Sequence, residues 1–437
     1  MAVAVAIQPS ALSWSRNQIN YHLLVTDSGS PYTPANLPDN YQLNVKVFFE
    51  KTYGSATFTE IAHTESIPDD NGLVPIDLQH ILHKAYLESL VVDPIPSVDT
   101  TTPYIANNLR KYYIEYAEES GNPAVTDSYT TLPTKEIIAG GIDQEIFANN
   151  DYLSLIDNTN SLLTWYPNYK KIGIDQPEYL TWYNYTGAQK GVLLEVIGYT
   201  EDSTLSNIFL FDAGGGVDAE DKECIVFPAN YLLYSIHNND VLKFTIRVVD
   251  GTSDYDSGSP VYLSPLRTYY VDYDYHDTVK TLLYLNSFFL PETLRLTGEQ
   301  KKNLQVSRQI SQRILQANYS TVSKEIEQFD FDWNNVWTFR TGNIRKAEVD
   351  ALQELLIYNT AYEITETGYR PLLLDGRRYE IDNSLEFLNN LEFSAVRALK
   401  AVNYLNFFLP IALCCCGGAI EFEDTYLIEF LLGIITF

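Results

Sequence analysis

Six histidines are scattered along the chain, and His80 and His83 alone fall three apart, in PIDLQHILHKAYL, where one helix face could present both to a metal ion. No cysteine lies nearby and no third ligand is positioned, so the same pair also reads as the polar side of a surface helix. Asp250, Asp254 and Asp256 in VVDGTSDYDSGS could offer oxygen ligands to calcium, but the rest of an EF-hand loop is missing and an exposed turn accounts for them equally. The glycine-rich run AGGGVDAEDKE, residues 213–223, lacks the Gly-Lys-Ser/Thr ending of a phosphate cradle. Gly-x-Ser-x-Gly, His-Glu-x-x-His and Cys-x-x-Cys are all absent from the sequence, which leaves hydrolase, zinc and redox chemistry without a scaffold. With 57 acidic residues, any chosen carboxylate pair is uninformative about glycoside hydrolysis. More suggestive are the aromatic runs LTWYPNYKK and YLTWYNY, where Trp165, Tyr166, Trp182 and Tyr183 could stack on sugar rings. Core and cross-strand pairing is the competing reading.

Composition narrows the field. A net charge of −28 over 437 residues argues against a nucleic-acid groove, because neutralising phosphate needs clustered Lys and Arg. Thirty-three tyrosines against one methionine favour strands over helical bundles. Cys414, Cys415 and Cys416 are consecutive and Cys224 stands alone, so a disulfide framework is not expected and synthesis in a reducing cytoplasm is. The opening MAVAVAIQPSALSW has no basic segment before its apolar run, so it reads as a first strand rather than an export signal. Leu405 to Ile420 is interrupted by Asn406, Pro410 and two glycines and falls short of a membrane span.

The elements that would position such residues are mostly strands. Ile19, Tyr21 and Leu23 alternate, as do Leu43, Val45, Val47 and Phe49, then Tyr112, Ile114 and Tyr116, each set marking one buried strand face. Leu78, Ile81, Leu82 and Ala85 instead fit a short helix with Asp77 as N-cap. The expected fold is mainly β: a β-sandwich over residues 1–145, a second over 146–275, an α+β domain over 276–402 and an apolar tail over 403–437. Trp14 and Trp182, each opening a strand after a proline, suggest that the two sandwiches are related. Within 276–402 the spacing of Val349, Leu352, Leu355 and Leu356 predicts a helix with one buried stripe and Asn343 as its N-cap. Lys301 to Trp333 reads as long polar strands suited to pairing with a neighbour. The tail is expected to form a buried strand pair or an oligomer contact, with a membrane-touching segment as the alternative.

TLLYLNSFFLPETLRLTGE, residues 281–299, resembles a recurring element of tail and baseplate-type proteins from phages and prophages of Bacteroidetes. RTGNIRKAEVDALQELLIYNTAYEITETGYRPLLL, residues 340–374, is similar to a later part of that family. Trp14 and Asn17 together with DDNGLVPIDLQHIL resemble its opening domain. The resemblance implies a virion structural protein of the tail: fibronectin type III-like sandwiches followed by an α+β assembly domain that builds a homo-oligomeric ring beside other tail proteins. It further implies production in the bacterial cytoplasm, no cofactor, and contact with host-surface glycans as an option. The alternatives that the residues leave open are a carbohydrate-binding or adhesive module and a polysaccharide-degrading enzyme.

Overall fold

The computed structural model describes residues 1–398 apart from 27–36, 90–95, 97–102, 107, 144, 146–161, 175, 185–191, 203, 212–223, 230–240, 251–259, 315–316, 319, 321–322, 359–360, 367 and 376–389. The chain is mainly β, in several antiparallel and mixed sheets, with two α-helices among the described residues. Its first stretch holds β1 (Ala2–Ile7), β2 (Leu12–Trp14), β3 (Asn20–Thr26), β4 (Gln42–Glu50), β5 (Phe58–Ser66), β6 (Leu73–Asp77), α1 (Gln79–Ser89), β7 (Tyr104–Ala106), β8 (Leu109–Ser120), β9 (Val125–Thr126), β10 (Thr130–Thr131) and β11 (Lys135–Ile138). One sheet runs β1-β3-β6 and a larger one β2-β11-β8-β4-β5, with β9 and β10 against β8. Their inner faces share one core, to which β3 gives Tyr21, Leu23 and Val25 and β4 gives Leu43, Val45, Val47 and Phe49. Each of those β4 side chains contributes roughly 1.5–3 kcal/mol by leaving water, and a one-residue slip would turn all four outward. Helix α1 closes one side of this core with Leu82 and Tyr86, and Asp77 caps it by accepting the Gln79 N–H at 2.9 Å.

The second stretch contains β12 (Tyr169–Gly173), β13 (Tyr179–Tyr183), β14 (Val192–Tyr199), β15 (Thr204–Phe211), β16 (Cys224–Pro228), β17 (Lys243–Asp250) and β18 (Arg267–Asp272). Its larger sheet runs β12-β18-β17-β14-β15, which repeats the first strand for strand: β12 for β2, β18 for β11, β17 for β8, β14 for β4, β15 for β5. In both sheets the early short strand joins the last one in parallel while the other neighbours are antiparallel. In the smaller sheets one pairing corresponds, β13 with β16 as β3 with β6, but the third strands differ: β1 lies beside β3 and β7 beside β16. The tryptophans are not equivalent, however: Trp14 lies in β2 and Trp182 in β13, one strand later in the repeat.

The third stretch forms β19 (Lys280–Leu285), β20 (Pro291–Leu296), β21 (Lys301–Gln312), β22 (Ile326–Arg340), helix α2 (Lys346–Tyr358), β23 (Ala361–Thr365), β24 (Gly368–Asp375) and β25 (Glu392–Arg397). These strands make one sheet in the order β20-β19-β23-β24-β25-β22-β21. Helix α2 buries Val349, Leu352 and Leu355 in the core of this sheet, with Leu356 packed at its margin. The helix starts two residues later than the sequence predicts. Asn343 does not cap it; Glu348 reaches back to accept the Arg345 N–H at 2.8 Å, so the second half of a capping box sets the start.

Met1–Val396 hold together as one packed unit, and strand pairing crosses the boundary expected at residue 145, because β7 joins the second stretch's sheet beside β16. One apolar cluster draws on all three stretches: Trp14, Leu109 and Ile138; Tyr183, Cys224 and Val226; Leu283, Phe288 and Leu290. The tail from residue 401, with its three cysteines, lies outside the described residues. Among those described, no helix is long and apolar enough to cross a membrane.

Candidate functional site

The aromatic residues proposed for sugar stacking fall into separate cores. Trp182 (3% exposed) packs within the second stretch, Tyr183 (0%) at the junction of the three, and Tyr166 (6%) against helix α2. Trp165 is half-buried, stacks on Phe288 at 5.6 Å and donates its Nε1–H to Ser287 Oγ at 2.7 Å. Tyr166, Trp182 and Tyr183 therefore leave no ring face open to a sugar, whereas Trp165 keeps one face against Phe288 and is only half-buried. Trp182 and Tyr183 sit in β13, which is covered on both sides, where aromatic residues serve packing rather than display, while Trp165 and Tyr166 precede β12. Val349, Leu352 and Leu355 form the buried stripe that their spacing predicts.

His83 is half-buried and hydrogen-bonds Ser15 Oγ through Nδ1 at 3.0 Å, and burial, helped by Arg16 and His80, lowers its pKa to about 4. His80 is exposed beside it. Asp250 ends β17 and is buried, whereas Asp254, Asp256 and the glycine-rich 213–223 lie outside the described residues. A cluster that sequence reasoning passed over comprises Asp272, Asp274 and His276, in the alternating DYDYH. Cations already occupy it: Lys171 Nζ sits 2.9 Å from Asp272 and 3.2 Å from Asp274, and Arg295 Nη1 3.2 Å from Asp272. The Asp272 carboxyl is held below the usual carboxylate range, because contacts with Lys171, His276 and Arg295 outweigh the opposing effect of its burial.

A buried polar seam runs where β19 and β20 meet the rest of the chain. Asn286, wholly buried, donates to the Leu163 carbonyl and Glu292 and accepts the N–H groups of Phe288 and Leu290, all at 3.0–3.1 Å. The next residue accepts the Gly141 N–H on its carbonyl at 3.0 Å, and Asn108 donates to the Phe288 carbonyl at 3.3 Å. Deeper in, Lys170 bridges both Glu178 oxygens at 2.7 and 2.8 Å, and Thr293 donates to the same carboxylate. Burial raises the Glu178 pKa and the lysine partly offsets it. Arg267 donates to the Tyr166 carbonyl at 2.7 Å, and Tyr166 OH donates to Glu348 at 3.1 Å. Glu178, Glu292, Arg267 and Asn286 line a space of about 10 Å³, room for about one water and not for a sugar. The seam can fix three stretches in register; it cannot admit a substrate.

The feature facing outward is the β21–β22 ribbon. All twelve residues of β21 are exposed, and β21 ends its sheet with one edge unpaired. Strand β22 also pairs β25, but only over Val336–Arg340, so its earlier residues pair with β21 alone. Roughly ten residue pairs therefore stand free of the sheet, about 30 Å of two-stranded ribbon. Such a hairpin is marginally stable by itself in water. One face carries Leu304, Val306 and Ile310, 57%, 41% and 63% exposed, interleaved with Lys302 and Arg308, on the side of Trp333, the cross-strand partner of Val306. The opposite face, with Asn303, Gln305, Ser307 and Gln309, is polar. Sequence reasoning found this segment through its polarity but not its aliphatic residues, because the three are diluted by glutamine, serine and arginine.

No family model matches the sequence, and no curated protein matches it. Among solved structures, trypsin-activated alpha-2-macroglobulin from Escherichia coli is similar over 79% of this chain and 20% of its own, at 10% identity and a TM-score of 0.21. The chain thus spans about a fifth of that protein's length, and a superposition so loose carries no argument.

Proposed function

We propose that this chain is a structural protein of a phage tail or baseplate, assembling with copies of itself and with other tail proteins through its C-terminal stretch. The observation that carries the reading is the β21–β22 ribbon, a long strand edge with exposed aliphatic side chains and no partner among the described residues. Edges of this kind are normally blunted, covered or paired with another chain. In this reading the two N-terminal stretches are tandem fibronectin type III-like sandwiches that act as spacers, and the third is an α+β assembly domain. The strand-for-strand correspondence of their larger sheets supports the tandem arrangement, and the resemblance of residues 281–299 and 340–374 supports the tail assignment. The polar seam supports a load-bearing role, because it ties the stretches together by hydrogen bonds that are shielded from water.

Immunogold labelling of phage particles with antibodies against the purified chain tests this directly. Gold along the tail or at its tip is the expected result. Particles that assemble complete tails without the chain, or label confined to the cell envelope, would refute it.

A further inference from the structure

Charge along two sheet-ending strands, β21 and β5, is opposite and segregated. Residues 301–313, covering β21, carry Lys301, Lys302, Arg308 and Arg313 and no acidic residue, in a chain of net charge −28. Residues 58–70, covering β5 and the turn after it, carry Glu60, Glu65, Asp69 and Asp70 and no Lys or Arg. Strand β5 ends its own sheet, pairing β4 on one side only, and Ile67 just beyond it is 72% exposed. The other sheet-ending strands are poorer matches: β12 carries Lys170 and Lys171, β1, β2, β7, β13 and β15 carry no charge, β6 carries the single Asp77, and β20 is largely buried.

We infer that the β21 edge of one copy pairs with the β5 edge of a second copy, head to tail. This rests on the assembly reading above and gives it a partner and a geometry. Two arguments select it. A two-fold antiparallel arrangement of β21 against β21 centred on Gln305 would set Lys302 beside Arg308 of the second copy, and like charges across a pairing edge are strongly disfavoured. Pairing β21 with β5 instead joins a basic edge to an acidic one and covers Leu304, Val306 and Ile310. Up to nine residues of β5 can pair, about 30 Å of shared ladder. Because the two edges belong to different surfaces, the contact is heterologous, and repetition closes a ring or extends a filament. Existing side-chain pairs do not block it: Lys301 with Glu299 and Arg313 with Glu327 are exposed and weakly held, and exposed Glu60 lies 3.8 Å from half-buried Lys46.

Sedimentation velocity on the full chain tests the inference. Wild type is expected to associate, more weakly as salt rises. Lys302→Glu/Arg308→Glu and, separately, Glu60→Lys/Glu65→Lys should each weaken association by at least about tenfold. All four residues are exposed, so the circular dichroism spectrum should be unchanged; Lys302→Gln/Arg308→Gln gives a milder loss if reversal disturbs the ribbon. Combining both reversals in one chain should restore association. Reversed variants that associate like wild type, or a combined variant that stays dissociated, overturn this pairing while leaving the tail assignment standing. A wild-type monomer whose antibody still labels tails overturns the second copy as partner. Absence of tail label bears on the assignment alone.

Discussion

Replacing Gly140 with alanine probes the joint between the first stretch and the β19–β20 loop. Gly140 has φ +97°, and a Cβ there would lie 1.6 Å from the Ser287 carbonyl oxygen. Real Cβ contacts do not fall below 3.0 Å, so the gap must open by about 1.4 Å. Positive φ alone costs an alanine roughly 1–3 kcal/mol. Opening the gap also breaks the 3.0 Å bond from the Gly141 N–H to Ser287, about 1 kcal/mol net, and loosens Phe288 against Trp14, whose rings lie 5.1 Å apart. The expected loss is therefore about 3–5 kcal/mol. Gly54→Ala is the matched control: its φ is +76°, but nothing lies within 4 Å of the added Cβ, so strain of about 1–2 kcal/mol should act alone. Urea denaturation of both variants followed by tryptophan fluorescence measures the difference. If Gly140→Ala loses no more than Gly54→Ala, the close approach between the first stretch and the loop is wrong.

Lys170→Met leaves Glu178 buried without its cation and should destabilise by about 3–5 kcal/mol, whereas Lys170→Met/Glu178→Leu should recover much of that; thermal unfolding of the two variants checks it. Glu354 on α2 is buried, and burial, followed by the nearby Glu292 charge, raises its pKa to about 8. An ordinary unfolded-state value near 4.3 then makes the folded chain the tighter proton binder between the two, so this contribution to stability is complete below about 4.3 and is lost as pH climbs towards 8. Urea midpoints across that window should fall more steeply for wild type than for Glu354→Gln, and equal slopes would contradict the burial of a protonated carboxyl. His83 has the opposite sense: its depressed pKa makes stability decline as pH falls from about 6.5 to about 4, a decline that His83→Gln should lessen in an acid-unfolding series.

Alternation carried most of the strand assignments, because period two with one buried face leaves a pattern that a single sequence preserves. Leu43 to Phe49 and Ile19 to Leu23 are read correctly for that reason. The same logic fails for Trp182 and Tyr183, and it does not reach Trp165 and Tyr166, which lie in no strand. β13 is buried along its whole length, so no polar side remains to distinguish a displayed aromatic from a packed one. The repeat was visible through the wrong residues: Trp14 and Trp182 look alike, but the pairing partners that define equivalence are far apart in sequence. Asn343 was a reasonable cap by residue type; the reciprocal bond from Glu348 decided otherwise, and glutamate at that position also fits the interior of an acidic helix.

Asn286 illustrates why the central joint was legible only as texture. In LNSFFLP an asparagine followed by serine signals a turn, and the turn exists, with Phe289 at φ 56°. Nothing local indicates that the same loop also meets Gly141, Asn108, Leu163 and Trp165, contacts separated by more than 120 residues. Those contacts converge because the loop is where the third stretch enters the apolar cluster shared by all three, and a buried loop must find partners for its backbone. Force pulling the N-terminal stretches away from the ribbon would have to strip these bonds together with Phe288 from between Trp14 and Trp165. A chain anchored by its ribbon to a neighbour would resist such a pull first at this loop, so single-molecule extension of Gly140→Ala should separate the first stretch at lower force than wild type while leaving the β21–β22 contact with the neighbour unchanged.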